Sequence, residues 1–157
     1  MKIELWAIGK TNEAYLETGI DIYLKRLKHY LKLEWRTFPD LKNAASFSAD
    51  QIKQKEGQLA LDQIKSGDFL ILLDEKGKSL SSVGFATFLE QQLQMSHKRI
   101  LFMIGGAYGF SAEVYERANY KLSLSEMTFS HQMVRLFLVE QLYRAMTLLN
   151  NEPYHNP

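Results

Sequence analysis

The sequence predicts an α/β fold: one mostly parallel sheet with helices on both faces. Two strands carry most of that inference. "DFLILLD" holds five consecutive apolar residues, and "RILFMIGG" repeats the style. A strand apolar on both sides of its pleat must be covered on both sides, which is the condition of a parallel sheet between helix layers. The third observation is alternation. Each strand-like run is followed by a stretch whose apolar residues recur at helical spacing.

The first strand puts Ile3, Leu5 and Ala7 on one face and Trp6 and Ile8 on the other, and ends at Gly9. Leu16, Ile20, Tyr23, Leu24, Leu27 and Leu31 then predict an amphipathic helix from about Glu13 to Leu31. "LEWRTFPD" is a short strand stopped by Pro39. A helix follows from about Ser48 to Lys65, with Ser48 or Asp50 as its cap. Gly67 turns the chain into the third strand, and "LSSVGFATFLEQQLQ" is the crossover helix to the fourth. A glycine-rich loop then opens a helix capped by Ser111, "YKLSLSE" is the last strand, and a helix from Met133 to Leu149 closes the chain. No linker or repeat interrupts this order, so residues 1–157 are expected to form a single domain.

Composition excludes several classes. There is no cysteine, hence no disulfide framework, thiolate zinc site or Cys nucleophile, and a reducing cytoplasm suits the chain. No apolar run reaches the ~18 residues of a membrane span, and "MKIELWAIGK" lacks the apolar centre of a signal peptide. A cytoplasmic location is expected. The net charge of +1 makes no case for nucleic acid, so RNA binding must rest on local patches.

In such sheets ligands sit at the carboxyl ends of the strands. Three loops leave those ends in the second half: "LDEKGKSLSS", "GGAYGFS" and "LSEMTFSHQ". The glycine loop allows close backbone approach but lacks both the dinucleotide fingerprint and the Lys-Ser/Thr pair of a phosphate loop. It reads equally as a ligandless tight turn. Asp74 stands where a ribose hydroxyl is often held, whereas Glu75 and Lys76 read as a solvated turn. His29, His97, His131 and His155 have no metal-ligand spacing, and no Gly-x-Ser-x-Gly elbow supports a triad hydrolase. "KRLKHYLK" can touch an RNA backbone, though most such runs are a helix's wet face. The closing helix is polar only at Arg135, Glu140, Gln141, Arg144 and Thr147. A helix so apolar needs cover on more than one side, which predicts a homodimer.

"IGGAYGF", "LSLSEMTFSHQMVRLFLVEQLYRA" and the terminal "PYH" resemble the bacterial large-subunit ribosomal RNA pseudouridine methyltransferases of the SPOUT class, and the likeness runs over essentially the whole chain. Ser130 stands where many relatives have Pro, and Asn156-Pro157 extend beyond the Tyr-His end. The resemblance implies an α/β sheet with a C-terminal deep trefoil knot and a homodimer. It implies methyl transfer from S-adenosylmethionine to N3 of a pseudouridine in helix 69 of 23S rRNA on the assembled 70S ribosome. It places cofactor contacts at Leu73, Gly105, Leu124, Ser125, Glu126, Met127, Thr128 and Phe129, the same three loops, with no metal.

The target nitrogen carries a proton near neutral pH, so a base or polarising donor assists. His131, Arg135, Arg144, Tyr154 and His155 are candidates by position, and the resemblance favours the last three. His155 is expected to take or relay the proton, Tyr154 to place the base, and Arg144 to bind phosphate or steady charge on the uracil carbonyls. The alternative is a catalytically inactive ribosome- or RNA-binding protein of the same fold.

Overall fold

The computed structural model describes residues 1–157. Its five strands are β1 (Lys2–Ile8), β2 (Leu33–Phe38), β3 (Asp68–Ser79), β4 (Arg99–Ile104) and β5 (Tyr120–Ser123). They lie in the order β2-β1-β4-β3-β5, and every pairing is parallel. The helices are α1 (Ala14–Leu27), α2 (Ala49–Leu61), α3 (Ser82–Gln94), α4 (Ala112–Arg117) and α5 (Met133–Leu149), with a 3₁₀ turn at Ala44–Ser46.

The two-sided strands bury both faces as their composition requires. Ile3, Leu5, Ile71, Ile100 and Phe102 pack with residues of α1, α3 and α5. Trp6, Leu70, Leu72, Leu101 and Met103 form the other core with Ala60 of α2 and Val114 of α4. Each fully buried Leu or Phe contributes ~1.5–3 kcal/mol, so these layers hold the sheet. At its amino end Arg99 ties the strands together, donating to Asp68 at 2.6 Å and to Glu4 at 3.1 Å. Ser48, rather than Asp50, caps α2, in a reciprocal capping box with Gln51. Ser81 and Ser111 cap α3 and α4.

Helices α1 and α2 and strand β3 differ from expectation. Helix α1 stops at Leu27, where the N–H groups of Tyr30 and Leu31 both return to the Leu27 carbonyl at 2.9 Å. That turn brings the Tyr30 hydroxyl to Glu152 near the chain's end, at 2.5 Å. Helix α2 stops at Leu61, where Gln63 and Ile64 close turns before Gly67. Strand β3 runs on to Ser79 instead of ending near Asp74. Leu73 and Lys78 both face Leu122, so the residues between them loop out and the strand rejoins β5. Gly77 permits this, because a Cβ there would sit 2.6 Å from the Lys121 carbonyl carbon.

The chain reverses direction across the sheet at β4. It steps from β3 to β4, then returns past β3 to the edge strand β5. From β5 it crosses back over the carboxyl ends to reach α5, which packs against α1 and α3. Both movements concentrate loops at one end of the sheet. On α5, Leu138, Val139, Leu142 and Ala145 are buried, while Val134, Leu136, Phe137, Tyr143 and Leu148 remain partly exposed.

Candidate active site

A cleft of about 460 Å³ opens at the carboxyl ends of β3, β4 and β5. Its apolar walls are Leu73, Ile104, Leu122 and Leu124; the glycine loop and the 124–131 segment form its sides. Residue by residue, Leu73, Gly105, Leu124, Ser125, Met127, Thr128 and Phe129 line it, whereas Glu126 is exposed and does not.

Local chemistry fixes each wall. Ser125 turns the last loop: its carbonyl accepts from the Ser123 hydroxyl at 2.7 Å and its hydroxyl from the Met127 N–H at 3.0 Å. Those bonds end β5 at Ser123, three residues before the expected limit. Glu75 accepts from the Thr128 hydroxyl at 2.5 Å, joining the β3 bulge to that loop. Asp74 accepts from the Tyr115 hydroxyl at 2.6 Å and, through its other oxygen, from the Lys76 N–H at 3.0 Å. Each oxygen makes one bond within the protein and keeps a second lone pair, and Asp74 itself lines the cleft. Burial and that bond push the Tyr115 phenol up to about 12, so it stays a donor.

Arg135 is fully buried. It donates to the carbonyls of Ile8 at 2.7 Å and Gly9 at 2.9 Å and to the Thr11 hydroxyl at 3.2 Å. It pins the start of α5 to the end of β1 and is a structural clamp, not a free acid or base. Gln132 reinforces it by accepting from the Asn12 N–H at 3.0 Å. His131 lines the cleft, and burial together with the Arg135 charge lowers its pKa, favouring the neutral ring.

The remaining candidates lie elsewhere. None of Arg144, Tyr154 and His155 lines the cleft. They form a second cluster where the tail packs on α1 and α5. Arg144 donates to Glu140 at 2.5 Å and contacts His155 Nδ1 at 3.1 Å, and its guanidinium lies 4.7 Å from the Tyr154 ring centroid. Tyr154 shares a hydroxyl contact with Tyr23 at 3.2 Å and donates to Glu140 at 3.0 Å. Burial and these partners push its phenol up, so Tyr154 is a hydrogen-bond donor. A guanidinium has no acceptor, so Nδ1 of His155 accepts and its lone pair is engaged by Arg144.

Sequence reasoning missed Tyr115 in the cleft wall and Glu56 behind it, while Phe110 falls within the glycine loop already marked. Glu56 had a readable signal: it shares a helical stripe with Ile52 and Ala60, both buried.

The family described as predicted SPOUT methyltransferase matches residues 1–155. The chain belongs to that family. Ribosomal RNA large subunit methyltransferase H of Parabacteroides distasonis and that of Christiangramia forsetii are each 53% identical to it over 156 residues, covering 99% of both chains. The protein of that name from Cytophaga hutchinsonii is 50% identical. A solved structure of a probable methylase family protein from Haemophilus influenzae Rd KW20 superposes with a TM-score of 0.57 at 14% identity, covering 99% of this chain and 70% of that one. That likeness shows the fold alone. The family accounts for the layout: loops from β3, β4 and β5 meet in one cleft, and α5 follows directly.

Proposed function

We propose that residues 1–157 act as one SPOUT domain that methylates the ribosomal RNA of the large subunit, using S-adenosylmethionine. The finer reading is transfer to N3 of a pseudouridine in helix 69 of 23S rRNA on the assembled 70S ribosome. It includes trefoil threading of the C-terminal segment. The observation that carries the proposal is the relatives' roughly half-identity over nearly the whole chain, combined with a cleft on the three loops the sequence resemblance marked.

The cleft's residues suit the donor. Leu73, Ile104, Leu122 and Leu124 offer an apolar slot for a purine, and the turned backbone of 124–129 offers polar groups for the amino-acid portion. Glu126 drops out of the contact set unless its backbone takes part. The bound donor supplies an already activated methyl on a sulfonium. The protein's own part is to align the acceptor and exclude water, and alignment alone can contribute up to ~7–11 kcal/mol. Exposed Tyr108 and Met127 at the rim offer surface to an incoming base.

The tail cluster and the cleft are separate within one subunit, so the proposed active site is completed by a second copy. Residues of α5 left partly exposed provide the contact face. In the composite site Arg144 holds phosphate or carbonyl oxygen, Tyr154 donates to the uracil ring, and His155 accepts the N3 proton once Arg144 turns to the RNA. Arg26 of α1 lies 5.4 Å from the Tyr143 ring centroid, next to this cluster, and Lys25, Lys28 and Lys32 of the same stretch are exposed. They extend a basic surface along the RNA path. A catalytically inactive RNA-binding protein would need neither cleft nor donor.

Three experiments test this. Labelled S-adenosylmethionine with 70S ribosomes should place the label on the large-subunit RNA; ribosomes left unlabelled would favour the inactive reading. Light scattering should report about twice the 18.2 kDa chain mass, and an active monomer would sink the composite site. Calorimetry should show donor binding weakened at least ~10-fold in Gly105→Val, a loss of ~1.4 kcal/mol. The added Cβ meets the Phe110 ring at 3.2 Å, and that ring lines the cleft. Undiminished binding by a folded variant would move the donor elsewhere.

A further inference from the structure

Glu56 is an acid that the proposed reaction leaves unused. It is only 9% exposed, makes no hydrogen bond, and its Oε1 has neither a partner nor solvent. It lies directly behind the glycine loop: a Cβ on Gly106 would sit 2.8 and 2.9 Å from its two oxygens. Gly106 lines the cleft, so one glycine backbone separates this carboxyl from the ligand space. A carboxyl serving only as a prop would be tied by hydrogen bonds, and a Leu or Met would fill the volume without its desolvation cost. What distinguishes Glu56 from those fillers is its capacity to carry charge.

Its surroundings oppose that charge. Burial does so most, and repulsion by Asp40, after β2, adds to it; together they raise its pKa to about 7. Asp40 in turn faces His131 and Arg135. From α4, Ser111 and Val114 meet the adjacent Gly57, and the loop itself brings only Tyr108, whose ring is exposed. No cation is paired with Glu56.

We propose that Glu56 is a specificity determinant that reads ligand charge: ionised behind Gly106, it favours the sulfonium-bearing methyl donor over the neutral demethylated product. This rests on the cofactor reading above. Donor and product differ by one methyl and one positive charge on sulfur. A bound cation favours the ionised carboxyl, so donor binding tightens as pH rises through about 7 and loses this gain below it. Once the methyl has left, the attraction goes with it, which assists product release.

The test is calorimetry of S-adenosylmethionine and S-adenosylhomocysteine, from about pH 5.5 to about 8.5, on the full chain and on Glu56→Gln. The wild-type preference for donor over product should rise about tenfold across that range, equivalent to one linked pKa unit. In Glu56→Gln it should lack this component; the ligands' own amino groups titrate alike with both proteins and cancel in the comparison. A carbon-13 titration of the Glu56 carboxyl in the wild type needs no variant. Its midpoint should fall by about one unit with S-adenosylmethionine present. Identical profiles in wild type and Glu56→Gln, or an unmoved midpoint in a protein that binds the donor, would overturn the inference and leave the cofactor reading standing. A wild type that binds neither ligand at any pH would overturn both.

Discussion

Removing Tyr154 through Pro157 is expected to abolish methyl transfer to the ribosome while leaving the fold and donor binding nearly intact. The truncation deletes no strand and no core residue, and the bond from Tyr30 to Glu152 remains. Donor affinity should hold because no deleted residue lines the cleft. Transfer should fail because positioning and proton removal are lost together. A general base alone is worth ~10²–10⁴-fold, so His155→Ala should lose that much. Tyr154→Phe should be milder, keeping the ring under Arg144 while losing the hydroxyl bonds to Tyr23 and Glu140. Single-turnover methylation of 70S ribosomes compares the three. A truncated protein that methylates at the wild-type rate would reduce the tail to an ordinary frayed end.

The same tail shows what the sequence could and could not disclose. The parallel sheet was readable because two-sided apolar strands admit few other arrangements, and the order of elements followed from the switch between two periods. The site loops were readable because ligand positions in such sheets follow from strand direction. The β3 bulge was not, since its residues look like any polar turn and only the contact of Gly77 with Lys121 explains them. Nor was the division of the candidate residues into two clusters. Whether Arg144, Tyr154 and His155 face the cleft depends on where α5 runs, which no local pattern encodes. Arg135 was legible only as one of five candidates by position, because its burial against β1 appears only in three dimensions.

Arg135→Met is expected to be the most destabilising single change at this end of the molecule. It keeps an apolar, helix-compatible side chain but leaves the carbonyls of Ile8 and Gly9 without their donors. Each buried acceptor so orphaned costs about 1–3 kcal/mol, so the loss should reach roughly 2–6 kcal/mol. That is a large share of the ~5–15 kcal/mol that stabilises a typical domain. Arg135→Lys should recover part of it, because one ammonium can reach one carbonyl but cannot reproduce the fork that spans both. Urea unfolding should therefore rank wild type above Lys above Met. The loss should carry into function at temperatures where the variants stay folded. Arg135 fixes the start of α5, the 124–131 segment ends there, and that segment walls the cleft. Donor affinity should fall in the same order as stability. A stable Arg135→Met protein with wild-type donor affinity would show that β1 does not anchor that wall.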